Sequence, residues 1–127
     1  MAALGNQIRV RVKDDVGKLA ALTDKLAAAG VNILAAVAWV EGETGHLVFV
    51  PDDPDKACRQ IKPLVDACDC EEVVHLKLPH KVGGLSKVAH KLADAGINIH
   101  LLYATAAGKE SLLVLRTSDN AKAATLV

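Results

Sequence analysis

Gln7–Val12 and Val73–Leu78 alternate apolar and polar residues with a period of two. Ile8, Val10 and Val12, and then Val74, Leu76 and Leu78, share one face, while Arg9, Arg11, His75 and Lys77 share the other. Two half-buried strands follow from that pattern. After each strand the period changes. Leu19, Leu22, Leu26 and Ala29 recur at helical spacing, as do Leu85, Val88, Leu92 and Ala95, which predicts two amphipathic helices. Gly30 and Gly96 stand where a helix ends on a left-handed backbone. The apolar runs Val31–Val40 and Ile97–Ala104, and then His46–Val50 and Leu112–Leu115, predict four more strands. Asp53-Pro54 reads as an N-cap followed by proline in the first helical turn. The helix it opens is expected to reach about Ala67, disturbed at Pro63. Cys70–Val74 is then a fourth strand that runs directly into Val73–Leu78.

The two halves are copies. A shift of 66 residues lays VGKLAALTDKLAAAGVNI (16–33) on VGGLSKVAHKLADAGINI (82–99) with 10 of 18 positions identical and no gap. The register extends outward: Gly42 meets Gly108, Leu47-Val48 meets Leu113-Val114, and Asp53 meets Asp119. The expected fold is therefore α+β, with two ferredoxin-like βαββαβ repeats and antiparallel sheets. The expected repeats are 1–72 and 73–127. After Asp119 only eight residues remain, so the second repeat lacks its own C-terminal strand. Its sheet needs another edge solution, or leaves an edge open for pairing; sharing Cys70–Leu78 between the two sheets, or pairing between chains, would be economical. An open edge favours a homodimer.

Composition narrows the function classes. In 127 residues, 51% are hydrophobic and 24% charged, enough to bury a core. No apolar run approaches a membrane span of about 20 residues. The start, MAALGNQIRV, lacks the charged and apolar blocks of a secretory signal. The three cysteines form no disulfide framework, so a cytoplasmic location is expected. Fifteen basic residues balance fifteen acidic ones, but unevenly: residues 1–72 carry net −4 and residues 73–127 net +4. Complementary packing of an acidic copy on a basic one would use that difference. Arg9, Arg11, Lys13, His75 and Lys77 make a basic stripe. RNA-binding relatives of this topology stack bases on aromatics of the central strands, and Phe49 is the sole aromatic such strands hold here, so nucleic acid is not an expected partner.

The chemistry concentrates in the loop before each first helix. In Asp14-Asp15-Val16-Gly17-Lys18-Leu19, glycine lets a ligand approach the backbone closely. The helix start offers unpaired N–H groups and the positive end of its dipole, which suits a carboxylate. Asn32 opens the next strand in Gly30-Val31-Asn32-Ile33, and its amide can donate and accept, as reading both ends of an amino acid requires. The second copy has His80-Lys81-Val82-Gly83-Gly84-Leu85 and Gly96-Ile97-Asn98-Ile99.

These two motifs, present twice at one spacing over nearly the whole chain, resemble the ACT domain family, whose pattern is D-x-P-G-x-L, a helix, and G-[VI]-N-[IV]. The resemblance implies a regulatory module that binds a small-molecule effector, most often an amino acid, between paired domains. It implies ligand-binding roles for Asp15, Val16, Gly17, Lys18, Leu19, Asn32 and Ile33, and for Val82, Gly83, Gly84, Leu85, Asn98 and Ile99. A regulated enzyme partner is implied, and neither cofactor nor membrane. Two positions depart from the pattern. Val16 and Val82 replace the motif proline, and His80 replaces the acid present as Asp14, so the two sites are expected to differ.

Other constellations carry less. His75, His80, His90 and His100 fall on four different elements without metal-ligand spacing. Cys68-Asp69-Cys70 is not C-x-x-C. A small ferredoxin-like enzyme would need an oriented acid, base or nucleophile, and Asp14-Asp15 and His80-Lys81 have no evident orienting group. No metal and no catalytic residue is expected. The rival readings are a structural dimerisation module without ligand and a small ferredoxin-like enzyme.

Overall fold

A computed structural model describes residues 2–127. It forms two compact units, Asn6–Glu71 and residues 2–5 with Glu72–Val127.

The first unit takes β1 (Ala2–Lys13) from Asn6 onward, α1 (Lys18–Ala28), β2 (Ile33–Glu41), β3 (Thr44–Pro51), α2 (Pro54–Ile61), a 3-10 turn (Lys62–Leu64) and the start of β4 (Ala67–Pro79). Its strand order is β2-β3-β1-β4. β3 pairs antiparallel with both β1 and β2, with Phe49 between Ile8 and Ala36 and Leu47 between Val10 and Ala38. The alternation read from β1 therefore continues across the sheet. Ile8, Val10, Leu47 and Phe49 meet Leu22 and Leu26 of α1 and Ala57 and Ile61 of α2 in one buried cluster.

α1 stops for a local reason. Gly30 takes a left-handed φ of +76°. The Gly30 N–H then bonds Ala27 and the Val31 N–H reaches back to the Leu26 carbonyl at 2.9 Å. This is a Schellman closure, with Val31 packing in the same core as Leu26. The second copy repeats it with Ile97, Leu92 and Gly96. α2 is shorter than expected. It ends at Ile61 instead of about Ala67, because Pro63 has no N–H to continue the helical ladder and the chain tightens into a 3-10 turn.

The second unit has the remainder of β4, α3 (Gly84–Asp94), β5 (Ile99–Ala107), β6 (Glu110–Thr117) and α4 (Asn120–Leu126). β6 pairs antiparallel with β4 and β5, and Val74, Leu76, Leu92, Leu113 and Leu115 form its core. Among the described residues α4 is the last element. The edge is nevertheless filled, since the strand order is β1-β4-β6-β5 and residues 2–5 belong to this unit. Ala2 packs against its core. A Cβ on Gly5 would come within 2.5 Å of the His75 ring, so glycine alone lets the strand lie so close. Residues 2–5 thus belong with the second unit instead of the expected 1–72 repeat, and the β4 edge of that unit is not open for pairing.

His75 is half-buried, and its Nε2 has no hydrogen-bond partner among the described residues. Burial lowers its pKa from 6.5. The unfolded chain therefore takes up a proton before the folded one, and stability is expected to fall as pH drops below about 6.5 and to be unaffected by this group well above it. Tm measured from pH 7.5 to 5.5 should decline more steeply in the parent than in His75→Gln. Equal slopes would contradict this assignment.

Candidate functional site

The loop between β1 and α1 crosses one end of the first unit's sheet. Gly17 adopts φ +81° and serves as N-cap of α1 with no side chain bonded to the helix start. The second copy is equivalent: Gly83, φ +84°, opens α3 without a side-chain cap. The other two helices are capped by carboxylates. Asp53 accepts from the Lys56 N–H at 3.2 Å and Asp119 from the Lys122 N–H at 3.0 Å. At the two motif loops the Lys18 and Gly84 N–H groups donate to the carbonyls of Asp15 and Lys81 at 3.2 and 3.1 Å, but no side-chain carboxylate covers the helix start.

A Cβ at Gly17 or Gly83 would meet nothing within 4 Å. Space is not the constraint; the left-handed backbone is. Gly17→Ala is expected to cost about 1–2 kcal/mol, read as a lower midpoint in urea. A change within error would show that the loop relaxes to a negative φ.

Each helix start borders a cleft. The first, of about 290 Å³, lies between the motif loop (Asp14, Asp15, Gly17, Lys18, Leu19) and the hairpin of β2 and β3. Trp39 and His46 of that hairpin stack with ring centroids 4.9 Å apart, and the indole N–H donates to Glu41 at 2.8 Å. The second, of about 410 Å³, is lined by His80, Lys81, Gly83, Gly84, Leu85 and Ser86 together with Thr105 and Ser111. His80 Nδ1 lies 3.1 Å from Ser111 Oγ. The two clefts coincide under the 66-residue shift, with opposite furnishing. Asp14, Asp15 and Trp39 become His80, Lys81 and Thr105. Both clefts have the size of small-ligand pockets.

Of the residues singled out by sequence, Asp15, Gly17, Lys18 and Leu19 line the first cleft and Gly83, Gly84 and Leu85 the second. Val16 and Val82 project fully into solvent; Val82 also borders a smaller hollow with Lys81, Lys87 and Lys91. Asn32, Ile33, Asn98 and Ile99 line neither cleft. Lys13 pairs with Thr44 at one end of β3, whereas Ile33 pairs with Pro51 at the other. Seven residues of strand separate those ends, roughly 20 Å. Sheet assembly therefore keeps Asn32 away from Gly17 within its unit. Its backbone is tied instead to Asp52: the Asn32 N–H donates to the Asp52 carboxylate, and the Asp52 N–H donates to the Asn32 carbonyl, both at 3.0 Å. Asn98 and Ser118 repeat the exchange at 2.9 Å. Trp39, His46, Thr105 and Ser111 were not marked by sequence, because only hairpin pairing brings them to the loop. The repeat register, which equates Trp39 with Thr105, was the available signal.

Over residues 3–127 the chain matches the family described as the ACT domain pair. The chain belongs to that family. Among solved structures, this ACT domain pair is similar to protein BT0572 from Bacteroides thetaiotaomicron, with 27% identity, a TM-score of 0.90, and 98% of this chain and 87% of that one covered. It also shares its fold with the regulatory subunit of aspartate kinase from Thermus thermophilus in ligand-free form (15% identity, TM-score 0.72, coverage 98% and 93%). Aspartate kinase from Synechocystis has 18% identity and a TM-score of 0.68; 98% of this chain is covered, against 25% of that longer chain. Comparison with curated proteins finds no match. No helix among the described residues is long and apolar enough to cross a membrane.

Proposed function

We propose that this ACT domain pair is a regulatory protein, not an enzyme, that binds an amino acid or a related small effector in the clefts at Gly17 and Gly83. The uncapped starts of α1 and α3 carry this reading. Two helices of the chain have an aspartate over their first N–H groups, and the two at the clefts have none. A ligand carboxylate would take that place.

The first cleft suits an amino acid whose ammonium meets Asp14 or Asp15 and whose side chain lies among Leu19, Ala38 and Val40. Lys81, His80 and two serines fit the second to a more anionic ligand. Asn32 and Asn98 would reach such ligands only if presented from outside their own units. Val16 and Leu19, with Val82 and Leu85, are exposed apolar residues beside the clefts, and a second copy of this chain is the proposed cover. β2, an edge strand of the first unit that is apolar from Ile33 through Val40, offers the backbone for such pairing. Ligand would favour one packing of the pair, and an enzyme partner in the cytoplasm would read it.

Calorimetric titration of dialysed protein with the twenty amino acids tests the reading. One or a few should bind saturably, and Lys81→Ala should weaken binding at the second cleft by about tenfold. If no amino acid binds and the chain is nevertheless a stable dimer, the dimerisation module replaces the sensor.

A further inference from the structure

We propose that Cys58 and Cys68 are a reversible dithiol–disulfide pair, a modification site separate from the clefts and independent of their ligand. The three cysteines gather in the first unit. Cys58 lies on α2 and Cys68 at the start of β4, both partly buried against the core. The Cys58 thiol donates to the Cys68 carbonyl at 3.5 Å, and the two sulfurs lie 2.6 Å apart. Cys70 is exposed and, two residues further along the strand, falls on the same face. A zinc site would want four such ligands, and among the described residues no group of three metal-binding side chains forms. Two thiols held in contact are the chemistry that remains.

Burial, and then the contact with Cys58, push the Cys68 thiol up to about 12. It is therefore a poor nucleophile toward a free reagent and a good partner for a neighbour already fixed against it. The oxidant is a low-molecular-weight disulfide. The Cys58 thiolate attacks one of its sulfurs, giving a mixed disulfide and releasing one small thiolate. Cys68 then loses its proton and attacks the Cys58 sulfur, which forms the protein disulfide and releases the second small thiolate. The two cysteines lose two electrons and two protons, and the reagent gains both to become two thiols. The bond ties α2 to the start of β4 across the 3-10 turn. An excess of reduced small thiol reverses it.

The test equilibrates the full chain in buffers running from reduced to oxidised glutathione, traps free thiols with N-ethylmaleimide, and maps peptides without reduction. Cleavage on the amino side of Asp69 separates Cys68 from Cys70. The expected product joins Cys58 to Cys68, carries maleimide on Cys70, and is lighter than the dithiol by two hydrogens. Its Tm should rise by on the order of 10 °C, and Cys58→Ser or Cys68→Ser should show no such rise. The proposal is overturned if all three thiols remain alkylatable in fully oxidising buffer, or if the dominant product is a disulfide or a glutathione adduct of Cys70. Because the mapping uses the unmodified sequence, it stands even if a serine variant fails to fold.

Discussion

Leu26→Ala and Leu92→Ala should each destabilise its own unit by about 3–4 kcal/mol. The two leucines occupy one position in the 66-residue register, and both are fully buried. Each packs beneath the closure that ends its helix, with Val31 or Ile97 bonded back to its carbonyl. Truncation to alanine therefore removes core contacts and loosens the helix end. The two cores are separate clusters. Residue-resolved hydrogen exchange should show Leu26→Ala releasing protection at residues 47–49 first, and Leu92→Ala at residues 113–115 first. Uniform loss of protection in either variant would show that the units do not open separately.

A chain that begins at Asn6 should lose about 3 kcal/mol from the second unit. That estimate counts a few strand bonds at about 1 kcal/mol each. Residues 2–5 belong to the second unit, where β1 lies beside β4. Without them, the β4 edge of this unit is bare, Ala2 no longer covers the core, and the His75 ring gains access to water. Faster exchange along β4 and β6, with β3 unchanged, is the expected pattern. Unchanged protection in β4 would mean that residues 2–5 contribute nothing to the unit.

Most of the fold was legible in the sequence because period and repeat agreed. The alternation in β1 and β4, the helical spacing around Leu22 and its counterpart Val88, and the glycine at each helix end specify the same plan locally and globally. What was not legible depended on partners distant in the chain. Residues 2–6 have no alternation and include Gly5, a residue type depleted in strands. Their fit becomes apparent only where Gly5 lies against His75. The motif loops were legible, because the left-handed backbone at Gly17 and Gly83 is a local demand. The placement of Asn32 was not. Its distance from Gly17 is set by the length of β3, which joins neither motif. Trp39 and His46 come to the border of the cleft through hairpin register alone, and that register turns their rings to the opposite sheet face.

Trp39 is the single tryptophan; its strand borders the first cleft, while its ring stacks on His46 over the sheet face opposite Leu47 and α1. Its fluorescence reads changes in the hairpin beside that cleft, and Tm reads occupancy itself. Titration of the dialysed protein with each amino acid in turn, with Tm followed on the same samples, is the decisive experiment. A sensor should give one amino acid that raises Tm saturably. At 100 times its Kd, that ligand should also stabilise the protein by about 2.7 kcal/mol. Emission and Tm that stay flat for every amino acid at millimolar concentration would contradict an amino-acid site at Gly17.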